Sequence, residues 1–394
     1  MPSVAAHGLD RLARACAKEL AEGAPSDYFA RSEVERLSPL LYYCFDRLGW
    51  PDTVPEDERR HFRKAYYASA GRNVDLLDAL GTAAEALSAR KIQTIAVKGA
   101  DLATNVYPSV ALRPMSDIDL CVAPEQGDAA EATLTELGYR PYAPEMKPGL
   151  SRKTRHAKLF IGGARDNIAI DLHWSLVGGP GDKRAPHYDW LRDNTVRSDA
   201  PYARLSETAH LAYLAAHMKL QHYDEEIPLL WLVDFTLLAS SSTMDWELLF
   251  ADARALGWSD ALAATARDVH RRLAVDLPEP LAQFTDSRPL LPQTAQLHRR
   301  DGRDEPERVF NELTTLPWHA RWALVCALVL PSVSYMRFRY PSVPSWAWPL
   351  AYPLRWARFV TRAAALVKRG IGRVVRRETR TQPLLASPDG RKSC

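Results

Sequence analysis

Apolar positions recur at helical spacing from Leu9 to about Leu48, interrupted at Pro25-Ser26-Asp27, which reads as a break and a cap. A loop rich in Pro and Asp, Pro51 to Glu58, leads into a longer helical segment from about Arg59 to Arg90. Its stripe of Val74, Leu77, Leu80, Ala84 and Leu87 predicts one face packed on a core. The period changes at Ile92. The β-branched run Ile92 to Val97, ending in Lys98-Gly99, predicts a buried strand entering a turn. Asp101 to Tyr107 predicts a short helix stopped by Pro108, and Asp117 to Val122, alternating carboxylate and aliphatic, a second strand. Gln126 to Leu137 predicts a helix closed by Gly138. Lys158 to Ile161 and Ile168 to Trp174, on either side of Gly162-Gly163, predict a β-hairpin. Beyond Gly178-Gly179-Pro180-Gly181 the helical period returns: Ser206 caps a segment holding Leu211, Leu214, His217 and Leu220, followed by helices through Leu229 to Leu238 and Trp246 to Leu256.

The elements sum to an α+β fold, a small mixed β-sheet flanked by N-terminal and C-terminal helical regions. The expected division is a helical region at 1–90, an α/β core at 91–180, a helical domain at 181–290 and a Pro/Trp/Arg-rich region at 291–394 with a basic amphipathic tail. Pro278, Pro280, Pro289 and Pro292 mark the last boundary. At 394 residues the chain is long enough for such a core, and its 46% hydrophobic and 25% charged residues are ordinary for a globular protein. The net charge of +3 gives no global argument for nucleic-acid binding. Cysteines at 16, 44, 121, 326 and 394 form no Cys-x-x-Cys pair, which points away from a disulfide framework or a zinc site and toward a reducing cytoplasm. Asp10, Arg11, Arg14, Lys18 and Glu19 deny the N-terminus the apolar run of a signal peptide. No stretch reaches about 18 uninterrupted apolar residues, so a cytoplasmic protein is expected, soluble or peripheral at the inner membrane surface.

Candidate chemistry concentrates in Arg113-Pro114-Met115-Ser116-Asp117-Ile118-Asp119-Leu120. On a strand, Asp117 and Asp119 project to one side while Ile118 and Leu120 enter the core. Paired carboxylates repel unless a cation lies between them, and oxygen ligands so placed suit magnesium. A solvated acidic edge is the plain alternative. Ile168-Ala169-Ile170-Asp171-Leu172-His173-Trp174 is a second strand with an acid among aliphatics, and it places Asp171 and His173 on one face. Three acids on two strands are the minimum for two-metal phosphoryl transfer. Lys98-Gly99-Ala100, a strand end opening into a helix, offers backbone N–H groups and one positive charge to phosphate. Arg113 and Ser116, just ahead of the acids, are further candidate phosphate contacts, or plain surface residues.

These residues together resemble the DNA-polymerase-β-type nucleotidyltransferase superfamily, with its strand–glycine–helix turn, Asp-x-Asp strand and third acid on a later strand. More narrowly, the chain is similar to the bacterial family described as uncharacterised nucleotidyltransferases. The matching segments are Lys98-Gly99-Ala100, Leu112 to Leu120, Asp171-Leu172-His173-Trp174, His210 to His217 and Leu230-Trp231-Leu232-Val233-Asp234, over roughly residues 35 to 285. The resemblance implies that Asp117 and Asp119 are metal ligands, that Asp171 is the third carboxylate, as ligand or base, and that Gly99 lines the phosphate turn. It implies two Mg2+ ions, with Mn2+ as a substitute, and an NTP substrate, ATP by default. The acceptor stays open among protein, RNA and a small molecule. Many superfamily members carry Gly-Ser at the turn where this chain has Gly99-Ala100, which leaves Lys98 to compensate. A catalytically silent nucleotide-binding protein, or a membrane-surface accessory factor in envelope-polymer or modified-peptide biosynthesis, are the alternatives.

His156 reads as a structural histidine, whereas His173, on the face of Asp171, is a candidate nucleotide contact. His210 and His217 share a helix face near His222; packing and capping suit them better than a metal site. Asp234, within an apolar helix, either approaches the nucleotide or caps a buried partner. Residues 341–380, with Trp346, Trp348 and Tyr352 ahead of a run of Arg and Lys, predict a basic amphipathic helix for membrane-surface or RNA contact.

Overall fold

The computed structural model describes residues 3–21, 28–52, 54–163, 167–178, 182, 184–222, 227–284, 313, 316–344 and 346–361. Pro25-Ser26-Asp27 and the tail beyond 361 lie outside the described residues.

The architecture is α+β. In chain order it runs α1 (Ser3–Ala21), α2 (Tyr28–Val34), α3 (Ser38–Leu48), α4 (Glu56–Ala89), β1 (Thr94–Val97), α5 (Gly99–Asn105), β2 (Ile118–Val122), α6 (Gly127–Glu136), β3 (Arg140–Pro141), α7 (Leu150–Thr154), β4 (Ala157–Gly162) and β5 (Ile168–His173). It continues with α8 (Tyr188–Asp193), β6 (Thr195–Val196), β7 (Ala203–Leu205), α9 (Glu207–Ala216), α10 (Leu229–Ala239), α11 (Trp246–Ala255), α12 (Ser259–Leu273) and α13 (Glu279–Ala282). Helices Trp318–Val329 and Val333–Arg339 follow.

The sheet has seven strands in the order β3-β4-β5-β2-β1-β7-β6. It is mixed: β2 runs parallel to β5 and β1 parallel to β7, while the other neighbours are antiparallel, including the β4–β5 hairpin expected at 158–174. Strand alternation divides its residues between two layers. Ala96, Ile118, Leu120, Ile170 and Leu172 join Leu76, Leu80, Ala83 and Leu87 of α4 in one core. Ile95, Val97 and Cys121 face the other way, into a larger core that draws on α1, α3, α9, α10 and α12 and extends from Leu9 to Leu281. Buried contacts thus run continuously across the N-terminal helices, the sheet and the later helices.

Two details of the helices differ from the sequence pattern. The buried stripe of α4 is Asn73, Leu76, Leu80, Ala83, Ala84 and Leu87, whereas Val74 is exposed. Asn73 turns inward because its amide has buried partners, and the helix rotates accordingly. The short helix after β1 starts at Gly99 and stops at Asn105, two residues earlier at each end than the period suggested. Helix α9 begins where Ser206 predicts, its Oγ accepting from the Ala209 amide at 3.2 Å. Every residue from Thr208 to Ala216 is buried, so α9 lies beneath the sheet rather than at a surface.

Candidate active site

Register places the acids. β2 and β5 pair in parallel with Asp119 directly beside Asp171 and Cys121 beside His173, so Asp119, Asp171 and His173 share the sheet face turned toward α9. Antiparallel pairing sets Val97 opposite Asp119, which brings Lys98, one residue past the end of β1, next to the same carboxylate. Lys98 Nζ stands 2.7 Å from Asp119 Oδ1. His173 Nε2 lies 2.9 Å from Asp119 Oδ1 and 3.3 Å from Asp171 Oδ2. The repulsion of two neighbouring carboxylates is thus offset by the chain's own cations.

The charges follow from that packing. Burial alone would raise the Asp119 carboxyl, but Lys98 and His173 outweigh it and hold it well below the usual carboxylate range. Burial disfavours the charged forms of Lys98 and His173, yet their carboxylate partners win: Lys98 is raised, and His173 is pushed up to about 9, mainly by Asp171. Asp171 is held low by His173 against the opposing effect of burial. Asp117, one residue ahead of β2, moves the other way, raised by burial and then by the negative charge of Asp119, and it also senses Lys98 and Asp171. Ser116 Oγ donates to Asp117 Oδ1 at 2.9 Å. All three expected carboxylates are therefore close enough to act on one another, with Asp117 at the rim and Asp119 inside.

Asp119, Asp171 and His173 each offer a ligand atom, all within 4.8 Å of one another, and among the described residues they form the one group of three or more suited to a metal ion. Two carboxylates with the Asp117 oxygens beside them fit a hard, oxygen-seeking divalent cation. The same oxygen donors suit manganese as well.

A second set of contacts fixes the turn that carries Lys98. Its backbone is at φ +52°, a conformation uncommon for a side-chain-bearing residue. The Lys98 amide donates to His210 Nε2 at 3.1 Å, so the His210 proton sits on Nδ1 and points at Asp101 Oδ2, 2.9 Å away. Asn105 and Arg204 hold the other Asp101 oxygen at 2.8 and 3.2 Å. The Lys98 amide is thus committed to His210 rather than free for phosphate. Ala100 is buried with Ala96, Ala103 and Met115, a packing that takes a small apolar residue.

Arg113 is also committed. It is buried, with Nε 2.9 Å from Asp234 Oδ1 and Nη2 2.8 Å from Oδ2, and Tyr107 Oη donates to the same carboxylate at 2.7 Å. Its third nitrogen faces the Lys98-Gly99 turn. A Cβ on Gly99 would stand 2.8 Å from Arg113 Nη1 and 3.3 Å from Met115 Cγ. Glycine there makes room for the guanidinium. Gly99→Ala is accordingly expected to destabilise by about 1–3 kcal/mol in urea denaturation, since the Asp234 pair prevents Arg113 from yielding.

The segment leading to Asp117 is held from α4. Asn73 Nδ2 donates to the carbonyls of Val110 at 2.5 Å and Arg113 at 2.8 Å, and its Oδ1 accepts from the Met115 amide at 3.1 Å. Arg72 reaches the Ser116 carbonyl at 3.1 Å, and Arg36 the Pro114 carbonyl at 3.0 Å. Asn73→Ala leaves these buried backbone groups without partners. A loss of about 1–3 kcal/mol in urea denaturation is expected, with a parallel fall in any activity that needs Asp117 in place.

A family model described as uncharacterised nucleotidyltransferase matches residues 23–274. The chain belongs to this family. Neither a curated protein nor a solved structure gives a significant match. The matched span of this nucleotidyltransferase takes in Lys98, the 113–119 segment, Asp171, His210 and Asp234.

The sequence reading missed Asn73 and Asp101, and left Asp234 and His210 with open roles. An Asn on the face of α4 that also carries Leu76 and Leu80 was the available signal for the first. The His217 and His222 rings meet 4.7 Å apart against Trp231, and His217 is held well below its ordinary range by burial and then by Lys98. The His156 ring lies beside His173, centroids 5.7 Å apart and planes tilted by 33°.

Proposed function

We propose that this nucleotidyltransferase moves a nucleoside monophosphate from an NTP, ATP by default, to an acceptor hydroxyl. The side-by-side placement of Asp119 and Asp171 on adjacent parallel strands carries the reading. Asp117 and Asp119 would hold divalent magnesium, with Asp171 as a third ligand or as the base. Bound there, the metal would neutralise charge on the triphosphate and favour ionisation of the attacking hydroxyl.

In the reaction the acceptor oxygen bonds to the α-phosphorus as the bond to the bridging oxygen of pyrophosphate breaks, and pyrophosphate leaves with that electron pair. The acceptor proton passes to Asp171, which is more exposed than Asp119 and so faces the incoming group. His173, charged and wedged between the two carboxylates, fixes their spacing. Lys98, paired with Asp119, is the cation at the turn that would meet a β- or γ-phosphate. Arg113 Nη1 and Ser116 flank the turn and the rim, where they can contact phosphate oxygens.

One observation favours a second reading. Lys98 and His173 both compensate Asp119, so the carboxylate is balanced without a metal, which suits a nucleotide-binding protein without turnover. Incubation with magnesium and each labelled NTP in turn separates the two. Transfer of label to protein, RNA or a small molecule supports the enzyme; saturable binding with no transfer supports the silent module; neither binding nor transfer ends both.

A further inference from the structure

Residues 316–361 form a unit whose helix Trp318–Val329 is apolar on two opposite sides. Ala320, Leu324 and Ala327 pack with Leu316 against Leu150 of α7. Trp318, Trp322 and Val329 fall on the other side at i, i+4 and i+11, and they are 73%, 64% and 57% exposed. With one apolar side already packed on the protein, the second is left to meet another apolar surface. The apolar exposure continues through Leu330, Val333, Phe338, Trp346, Leu350, Leu354, Trp356 and Val360.

These residues are joined around one corner. Trp356 Nε1 donates to the Val329 carbonyl and Tyr352 Oη to the Pro331 carbonyl, both at 2.8 Å. Ser332 anchors the corner to the 145–146 backbone, with Oγ 2.8 Å from the Glu145 carbonyl and its amide 2.6 Å from the Met146 carbonyl. Charge supplies the second argument. No Asp or Glu occurs between Leu313 and Arg377, whereas the exposed Arg321, Arg337, Arg339 and Arg358 interleave with the aromatics. Arg337 and Arg358 lie over the Trp348 and Tyr340 rings at 5.8 and 5.9 Å. None of the helices among the described residues is long and apolar enough to cross a membrane.

We propose that the 316–361 unit docks on an anionic phospholipid surface, its exposed tryptophan face set among the headgroups and its arginines against the lipid phosphates. Indole rings favour the boundary between hydrocarbon and water, and basic residues beside them are drawn to anionic lipid. Aliphatic exposure at Val329, Leu330, Val333 and Val360 selects lipid over RNA, because aliphatic chains gain from leaving water but offer no stacking face to a base. The inference does not rest on nucleotidyl transfer.

Flotation of the full chain with vesicles tests it. The protein should rise with phosphatidylglycerol–phosphatidylcholine vesicles, stay down with pure phosphatidylcholine, and be released by high salt. Trp318→Ala with Trp322→Ala should lower the partition coefficient about tenfold, and Arg337→Gln with Arg339→Gln by a similar factor on anionic vesicles. All four positions are exposed, so melting temperature and label transfer in solution should stay at the wild-type level. The lipid comparison on wild type stands even if a variant misfolds. The proposal is overturned by no flotation, by equal flotation on neutral vesicles, or by a folded Trp variant that floats like wild type. It also fails if a single-stranded RNA oligonucleotide binds while vesicles do not, or if the tryptophan face instead drives a concentration-dependent dimer that ignores lipid.

Discussion

Asp171→Asn is expected to lower magnesium-dependent transfer of label from an NTP by about 10³-fold or more, with little change in melting temperature. The carboxylate is partly exposed and its close partner is His173, which keeps Asp119 as a second partner after the change. The fold therefore loses little, while the site loses the charge that faces the acceptor. Asp119→Asn is the less clean experiment. It withdraws the ion-pair partner of buried Lys98 and one of the two that hold His173, so activity and stability should fall together. Full transfer by a folded Asp171→Asn protein would remove the paired carboxylates from the mechanism. Retained nucleotide binding in that variant would assign Asp171 to the chemical step rather than to holding the substrate.

Asp234→Ala should cost about 3–5 kcal/mol in urea denaturation, the range for removing one partner of a buried ion pair. It leaves the Arg113 guanidinium charged and buried, and takes the acceptor from Tyr107 Oη as well. Replacing the whole group with apolar side chains, Arg113→Met with Asp234→Leu and Tyr107→Phe, should recover most of that stability, because no buried polar group is then left unpartnered. Transfer should not recover with it, since Arg113 Nη1 lies against the Gly99 turn. If the triple variant regains both, the pair serves folding alone. If Asp234→Ala melts like wild type, the pair is not the tie between α10 and the 113–117 segment described above.

Both experiments probe contacts of different legibility. The strand carrying Asp119, which begins one residue after Asp117, the hairpin carrying Asp171 and the capped helix after Ser206 were readable because each depends on neighbours within a few positions. A period of two, a paired glycine and an N-cap serine are local signals. The rotation of α4 was not readable, since Val74 and Leu76 are equally apolar. What turns the helix is Asn73, through hydrogen bonds to Val110, Arg113 and Met115 about 40 residues away. The commitment of Arg113 escaped the sequence for the same reason: its partner lies 121 positions further along the chain.

The sequence by itself determined the fold class, the alternation that turns the acids to one side of their strands, and the segments that mark the family. Strand pairing decided the rest. Only the parallel register of β2 with β5 makes Asp119 and Asp171 neighbours, and only the approach of α9 supplies His210 to hold Lys98 at a positive φ. Side-chain periodicity is a property of consecutive residues, whereas a charge finds its counter-charge in space, and that distance exists once the chain has closed on itself.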